Sequence, residues 1–113
     1  MTLPTISRDD LREKMERGDD FVLVDALAPM SFAHSHLPGA INLPPEWVDE
    51  RSPWRLPDLG TEVVVYCSSE TCDSSVIVGE RLVELGYRRV LHFTGGKSDW
   101  AKAGLPLEGG GVR

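Results

Sequence analysis

The two cysteines, Cys67 and Cys72, are the residues whose type and spacing best suit chemistry in this chain. Cys67 follows the apolar run 63–66, and a helical pattern begins just beyond it, at about residue 73 or 74. A helix N-terminus carries about half a positive charge, and backbone N–H groups in such a turn can point inward. Because both stabilise an anion, we predict a lowered pKa and a nucleophilic thiolate at Cys67. The alternative is a small buried residue at a strand end, since free cysteine is among the most buried residue types.

The segment that joins this strand to the helix is short and polar, so a substrate can approach its backbone closely. We expect the backbone of this segment to bind anionic groups. Its members are Ser68, Ser69, Glu70, Thr71, Cys72 and Asp73.

Length and charge exclude several classes of protein. A chain of 113 residues suits one domain with one core. The formal net charge of −6 argues against nonspecific nucleic-acid binding. No apolar run approaches a membrane span, and residues 1–7 lack the features of a signal peptide, so we expect a cytoplasmic protein with no membrane partner. In a reducing compartment, two cysteines are more often catalytic or redox-active than structural.

Strand and helix patterns alternate along the chain. Continuous apolar runs of strand length suit strands that are covered on both faces. Strands are expected at 21–24, 41–43, 63–66 and 89–93, and helices from Ser7 to Gly18, at 29–34, from about 73 or 74 to 85, and at 97–103. The proline-rich segment 44–60 is expected to be a surface connector with a helical turn near Trp47. This order predicts an α/β domain with a mostly parallel sheet of about five strands and helices on both faces.

Several segments together resemble a single-domain rhodanese, and the resemblance covers most of the chain. They are Val22-Leu23-Val24-Asp25, His36-Leu37-Pro38-Gly39-Ala40-Ile41-Asn42, Val64-Val65-Tyr66-Cys67, and Gly95-Gly96-x-x-x-Trp100-x-x-x-Gly104-Leu105-Pro106. Each is weak or moderate alone, but their order and spacing are those of the family. The resemblance implies a single rhodanese-like domain over residues 1–113, and we expect residues 107–113 to be a frayed tail.

The resemblance implies a sulfurtransferase in which Cys67 takes sulfane sulfur from a donor, holds it as a persulfide and passes it to a nucleophilic acceptor. The donor would be thiosulfate, a polysulfide or a low-molecular-weight persulfide. The acceptor would be a thiol, a cyanide-like molecule or a protein. No metal or organic cofactor is implied. The alternatives are a thiol–disulfide or sulfur-carrier module that uses Cys67 and Cys72, and a catalytically silent binding domain.

The active-site loop departs from the family's usual pattern. Family members often carry Arg or Lys just after the cysteine and near the loop's end, where this chain has Ser68 and Cys72, with Glu70 between them. The loop resembles a rhodanese subset with a C-x-x-x-x-C pattern, and we expect weak turnover of the thiosulfate dianion. The short loop without arginine also makes phosphatase and arsenate reductase activity unlikely. Cys72 is expected either to act as a resolving thiol or to pack at the helix start.

Other residues have both structural and functional interpretations. Asp25 and His36 are expected to support the site, chiefly by organising nearby loops through hydrogen bonds. His92 closes a strand near the pocket, but a zinc site with both cysteines would lack an evident fourth ligand. Trp100 is expected in the core, whereas Trp47 and Trp54 are expected to wall the pocket or cover the core.

Overall fold

The computed structural model describes residues 3–109, which form a parallel sheet with helices on both faces. The strands are β1 (Val22–Asp25), β2 (Ile41–Asn42), β3 (Glu62–Tyr66) and β4 (Arg89–His92), in the spatial order β2-β1-β3-β4. The α/β class and the parallel sheet are confirmed, but the expected count of about five strands is wrong, because the sheet has four. Thr5 forms only an isolated parallel bridge with His92, which is too short to make a fifth strand.

Five α-helices connect and cover these strands in the described residues 3–109. They are α1 (Arg8–Arg17), α2 (Pro29–His34), α3 (Val48–Arg55), α4 (Ser74–Glu84) and α5 (Gly96–Lys102), with a 3₁₀ turn at Pro45–Trp47. Helix α1 begins where expected, because the Ser7 hydroxyl accepts a hydrogen bond from the Asp10 N–H at 3.1 Å. It ends at Gly18, which adopts the left-handed conformation that favours glycine.

Helix α3 differs from the expected connector. Residues 44–60 contain a helix of eight residues that includes Pro53. Proline usually disfavours a helix interior because it lacks an N–H donor and its ring clashes with the preceding turn. Here Val48 is buried against the core, so tertiary packing outweighs the local preference.

The pleat of β3 divides the core between the two faces of the sheet. Val63 and Val65 belong to the cluster that includes residues of α3 and α4, whereas Val64 and Tyr66 belong to the cluster that includes residues of α1 and α5. This alternation follows from the two-residue period of a strand. On α4 the buried residues are Ser75, Val78, Gly79 and Leu82, whereas Ile77 is half exposed.

The C-terminal segment is paired within the described residues. The Glu108 N–H donates to the His36 carbonyl at 2.8 Å, and the His36 N–H donates to the Glu108 carbonyl at 2.9 Å. Residues 107–109 therefore differ from the frayed tail that we expect, and residues 110–113 lie outside the described part. Within residues 3–109, no helix has the length and apolar character needed to span a membrane.

Candidate active site

Cys67 lies at the carboxyl end of β3, on the face of the sheet that α4 covers. It follows Val65 by two positions, so the strand's alternation turns both side chains the same way. Its side chain is deeply buried, since the residue is only 1% exposed. The thiol donates to the Cys72 carbonyl at 3.2 Å, and its sulfur lies 3.1 Å from the Ser75 hydroxyl oxygen.

The predicted lowering of the Cys67 pKa is wrong. Burial raises the pKa of the Cys67 thiol, and its hydrogen bond with the Cys72 side chain raises it further. The Ser75 hydroxyl and backbone N–H act in the opposite direction without reversing the shift. The helix end is worth only about 0.3–1 kcal/mol, which desolvation of a buried thiolate readily exceeds.

Cys72 is the more acidic thiol of the pair. Burial raises its pKa, but hydrogen bonds from the Cys67 thiol and from the backbone N–H groups of Ser74 and Ser68 outweigh that effect and lower the pKa to about 7. Cys72 is also partly exposed. Loop N–H groups that we expect to serve Cys67 are therefore directed in part at Cys72.

Ser75 and His92 extend the hydrogen bonds of Cys67, and sequence reasoning assigned no role to Ser75. Ser75 is fully buried in the first turn of α4, and its hydroxyl oxygen lies 2.7 Å from His92 Nε2. Burial lowers the pKa of His92. His92 pairs with Val65 across the sheet and lies two positions after the buried Val90, so its side chain shares the face of Cys67. The alternation of both strands was the signal that could have located this contact.

Helix α5 holds the loop from the other side. The Lys97 N–H donates to the Cys67 carbonyl at 2.9 Å, and the Ser98 N–H donates to the Ser68 carbonyl at 2.8 Å. Gly96 makes this contact possible, because a Cβ atom there would lie 2.6 Å from the Cys67 carbonyl oxygen. Its φ of 65° is also a conformation that other residues avoid.

The outer part of the loop lines a polar cavity of about 330 Å³ next to α5. The cavity is lined by Ser69, Glu70, Thr71, Gly95, Ser98, Asp99 and Lys102. The Ser69 and Thr71 hydroxyls lie 3.0 Å apart, and Glu70 is exposed. Lys102 thus places a cation beside a loop that has none of its own. Asp73 occupies the N-cap position of α4, but its side chain makes no capping hydrogen bond.

Asp25 is buried at the end of β1 and joins several segments. Its carboxylate accepts hydrogen bonds from the Tyr66 hydroxyl at 2.7 Å and the Leu27 N–H at 2.9 Å. The same hydroxyl accepts a hydrogen bond from the Leu37 N–H at 2.9 Å. Burial raises the pKa of Asp25, although the Tyr66 and Leu27 hydrogen bonds oppose this shift. These contacts are those of a residue that organises the strand ends.

His36 contacts helix α2 and the C-terminal segment. Its Nδ1 lies 2.7 Å from the Phe32 carbonyl oxygen, and its ring stacks on the Phe32 ring with centroids 3.9 Å apart. Its backbone pairs with Glu108, as described above. These contacts connect α2 to the C-terminal segment.

The tryptophans lie in three different environments. Trp100 is buried in the core and donates to the Pro106 carbonyl at 2.8 Å. Trp47 packs against the core and is covered by the guanidinium of Arg51, which lies 3.6 Å from the ring centroid. Trp54 is 81% exposed, so it does not cover the core.

Comparison with known proteins agrees with the fold. A family model described as a rhodanese-like domain matches residues 7–103. The chain is 32% identical to a sulfurtransferase of Allochromatium vinosum over 104 residues, which cover 90% of this chain and 92% of that protein. It is 32% identical to the thiosulfate sulfurtransferase GlpE of Haemophilus influenzae over 108 residues, which cover 96% and 97% of the two chains. The crystal structure of the BH2092 protein from Bacillus halodurans superposes with a TM-score of 0.87 at 24% identity, covering 95% of this chain and 77% of that one.

Proposed function

Because the chain belongs to the rhodanese-like family, we propose that it is a sulfurtransferase in which Cys67 carries sulfane sulfur as a persulfide. The observation that carries this proposal is the Cys67 thiol at the carboxyl end of β3, beneath a loop that α4 and α5 hold on both sides. Ligand sites in open parallel α/β sheets lie at this end of the strands.

The transfer proceeds by exchange at sulfur. The Cys67 thiolate attacks the outer sulfur of a persulfide donor R–S–SH, forming a new S–S bond. The S–S bond of the donor breaks, and the thiolate R–S⁻ leaves with the electron pair of that bond and takes up a proton. A nucleophilic acceptor then attacks the outer sulfur of Cys67–S–SH and regenerates the thiolate.

The surroundings of Cys67 favour small donors with little charge. A thiosulfate dianion must leave water to reach a sulfur atom that is almost fully buried, and the exposed Glu70 adds a negative charge to the loop. A hydropolysulfide monoanion or a neutral low-molecular-weight persulfide carries less charge and therefore loses less hydration. We therefore propose these as the preferred donors, and a low-molecular-weight thiol, a cyanide-like molecule or a protein thiol as the acceptor. The two free thiols suit a reducing compartment such as the cytoplasm.

A second candidate function is thiol–disulfide exchange between the two cysteines. The proximity of the two residues favours it, because the Cys67 sulfur lies 3.2 Å from the Cys72 carbonyl oxygen and each thiol shifts the pKa of the other. The Cys72 thiolate would attack the inner sulfur of Cys67–S–SH, form the Cys67–Cys72 disulfide and expel HS⁻. A low-molecular-weight thiol would then reduce the disulfide.

Mass spectrometry after exposure to each donor tests both functions. We expect the wild-type protein and the Cys72→Ser variant to gain one sulfur atom at Cys67, and the Cys67→Ser variant to gain none there. A wild-type disulfide with sulfide release that disappears in Cys72→Ser would support the second function. Sulfur transfer at the full rate in Cys67→Ser would overturn the proposal, and no modification by any donor would leave a silent binding domain.

A further inference from the structure

Cys67, Ser75 and His92 form a continuous line of hydrogen-bonding atoms. The Cys67 sulfur lies 3.1 Å from the Ser75 hydroxyl oxygen, which lies 2.7 Å from His92 Nε2. Three separate elements supply these residues, namely the end of β3, the first turn of α4 and the end of β4. The arrangement resembles the way in which a nucleophile is connected to a base in other enzymes.

The line of contacts lies inside the protein. Cys67 and Ser75 are at most 1% exposed to solvent, and His92 is partly buried. Water therefore has little access to the thiol proton, and a proton that leaves Cys67 needs an acceptor within the protein. Since the pKa of Cys67 is raised, such an acceptor is needed near neutral pH.

We propose that Ser75 and His92 form a proton relay that generates the Cys67 thiolate. Ser75 touches the reacting sulfur and is the catalytic member, whereas His92 is a positioning residue and proton acceptor that acts through Ser75. The proposal deepens the proposed function and rests on Cys67 being the nucleophile.

The relay transfers one proton equivalent from the Cys67 thiol to His92, and Ser75 remains a neutral hydroxyl. The Cys67 S–H, which donates to the Cys72 carbonyl at rest, turns to Ser75. The Ser75 hydroxyl accepts this proton and at the same time donates its own proton to His92 Nε2, with the imidazole in its Nδ1–H tautomer. The products are the Cys67 thiolate and the His92 imidazolium. After the thiolate attacks the donor, the partly buried His92 imidazolium releases its proton to solvent, and the leaving thiolate R–S⁻ takes up one proton from solvent.

The groups around His92 suit a neutral imidazole that becomes charged only transiently. Burial lowers its pKa, so the ring is unprotonated and can accept. Its neighbours from β3 and the N-terminal segment are Val65, Pro4, Thr5 and Ile6, which carry no charge. Cys72 is the titratable neighbour that shifts the pKa of Cys67, so it must be removed before the relay is measured.

The test uses Cys72→Ser as the background, so that Cys67 is the only thiol. The rate of Cys67 alkylation by iodoacetamide and the ultraviolet absorbance of the thiolate are measured across pH. Ser75→Ala and His92→Gln are compared with Ser75→Thr, which retains a hydroxyl, and with His34→Gln, which removes an exposed histidine on α2. Circular dichroism establishes that each variant is folded.

We expect Ser75→Ala and His92→Gln to slow alkylation near pH 7 by roughly 10- to 100-fold, which lies at or below the lower end of the ~10²–10⁴-fold range of general-base effects. The inflection due to His92 should vanish from the pH profile of His92→Gln, and Ser75→Thr should recover much of the rate. Unchanged rates and profiles in the folded Ser75→Ala and His92→Gln variants would overturn the relay. Because alkylation needs no sulfur donor, a protein that forms no persulfide but shows these effects would refute the proposed function alone.

Discussion

Replacing Cys67 by alanine should raise the pKa of Cys72, because it removes a hydrogen-bond donor to the Cys72 sulfur. In the wild type, that hydrogen bond and the backbone N–H groups of Ser74 and Ser68 bring the pKa of Cys72 to about 7. Cys67→Ala leaves the N–H groups in place. The new pKa should therefore lie between about 7 and the ordinary thiol value of ~8.5.

These limits set the size of the effect. At pH 7, a thiol with a pKa of about 7 is half ionised, whereas one with the ordinary pKa of ~8.5 is only ~3% ionised. The thiolate fraction of Cys72 therefore falls by at most ~15-fold. A more basic thiolate is also a better nucleophile, with a Brønsted slope of about 0.4–0.5, so the alkylation rate falls by only about four-fold at that limit. The midpoint of the pH profile is thus a sharper measure than the rate at one pH.

The assay is alkylation of Cys72 by iodoacetamide, followed by mass spectrometry from about pH 5 to about pH 9. Cys67→Ser is the matched control, since its hydroxyl can still donate to Cys72 and should give an intermediate midpoint. An unchanged midpoint in Cys67→Ala would show that the backbone N–H groups alone make Cys72 acidic, and the account of the thiol pair given above would be wrong.

Further predictions concern the loop and the buried residues beneath it. Gly96→Ala should destabilise the domain by about 2 kcal/mol or more and reduce sulfur transfer, because it adds a backbone clash to the cost of a positive φ. The control is Gly104→Ala, whose Cβ would meet nothing within 4 Å and which should therefore be destabilised only by the cost of the positive φ. Urea unfolding measures the free energy of unfolding of both variants. Tyr66→Phe should destabilise by about 2–5 kcal/mol at pH 7, since it leaves the Oδ2 atom of the Asp25 carboxylate and the buried Leu37 N–H without a partner. It should also raise the pKa of Asp25 further, so the stability that is present below pH ~3.9 is lost over a wider pH range and by a larger total amount as pH rises through the folded pKa; parallel wild-type and variant pH curves would contradict this. Glu70→Gln should raise kcat/KM for thiosulfate up to roughly five-fold at low salt, and it should raise kcat/KM for a neutral donor by less. An equal increase with both donors would exclude an electrostatic cause.

The elements of the fold were predictable where a local signal agrees with burial. The Ser7 cap, the Gly18 stop and the two-faced apolar run of β3 each determine an element through local chemistry. Helix α3 was missed because Pro53 argues against a helix locally, whereas the burial that favours the helix comes from distant residues. The pairing of Glu108 with His36 was missed for a similar reason, since its partners are far apart in sequence.

The position of Cys67 in the fold was predictable from the sequence, but the direction of its pKa shift was not. The strand-to-helix turn placed Cys67 correctly at the end of β3. The direction of its pKa shift depends on the depth of burial and on where each loop N–H points, and neither follows from residue types. A peptide in a short loop can turn its N–H or its carbonyl toward a sulfur atom. Here the Cys72 carbonyl faces Cys67, while N–H groups of Ser68 and Ser74 face Cys72.

For the proposed role of persulfide carrier, the two thiols have complementary disadvantages. A buried Cys67 keeps water and bulky nucleophiles from its sulfur, but burial also makes the thiolate harder to form. A partly exposed Cys72 ionises near neutral pH, but its persulfide would be open to any thiol in solution. Placing the carrier at the buried position therefore requires a local acceptor for its proton. Ser75 and His92 are the residues that reach it, and the parallel register of β3 and β4 brings them to the same face as Cys67.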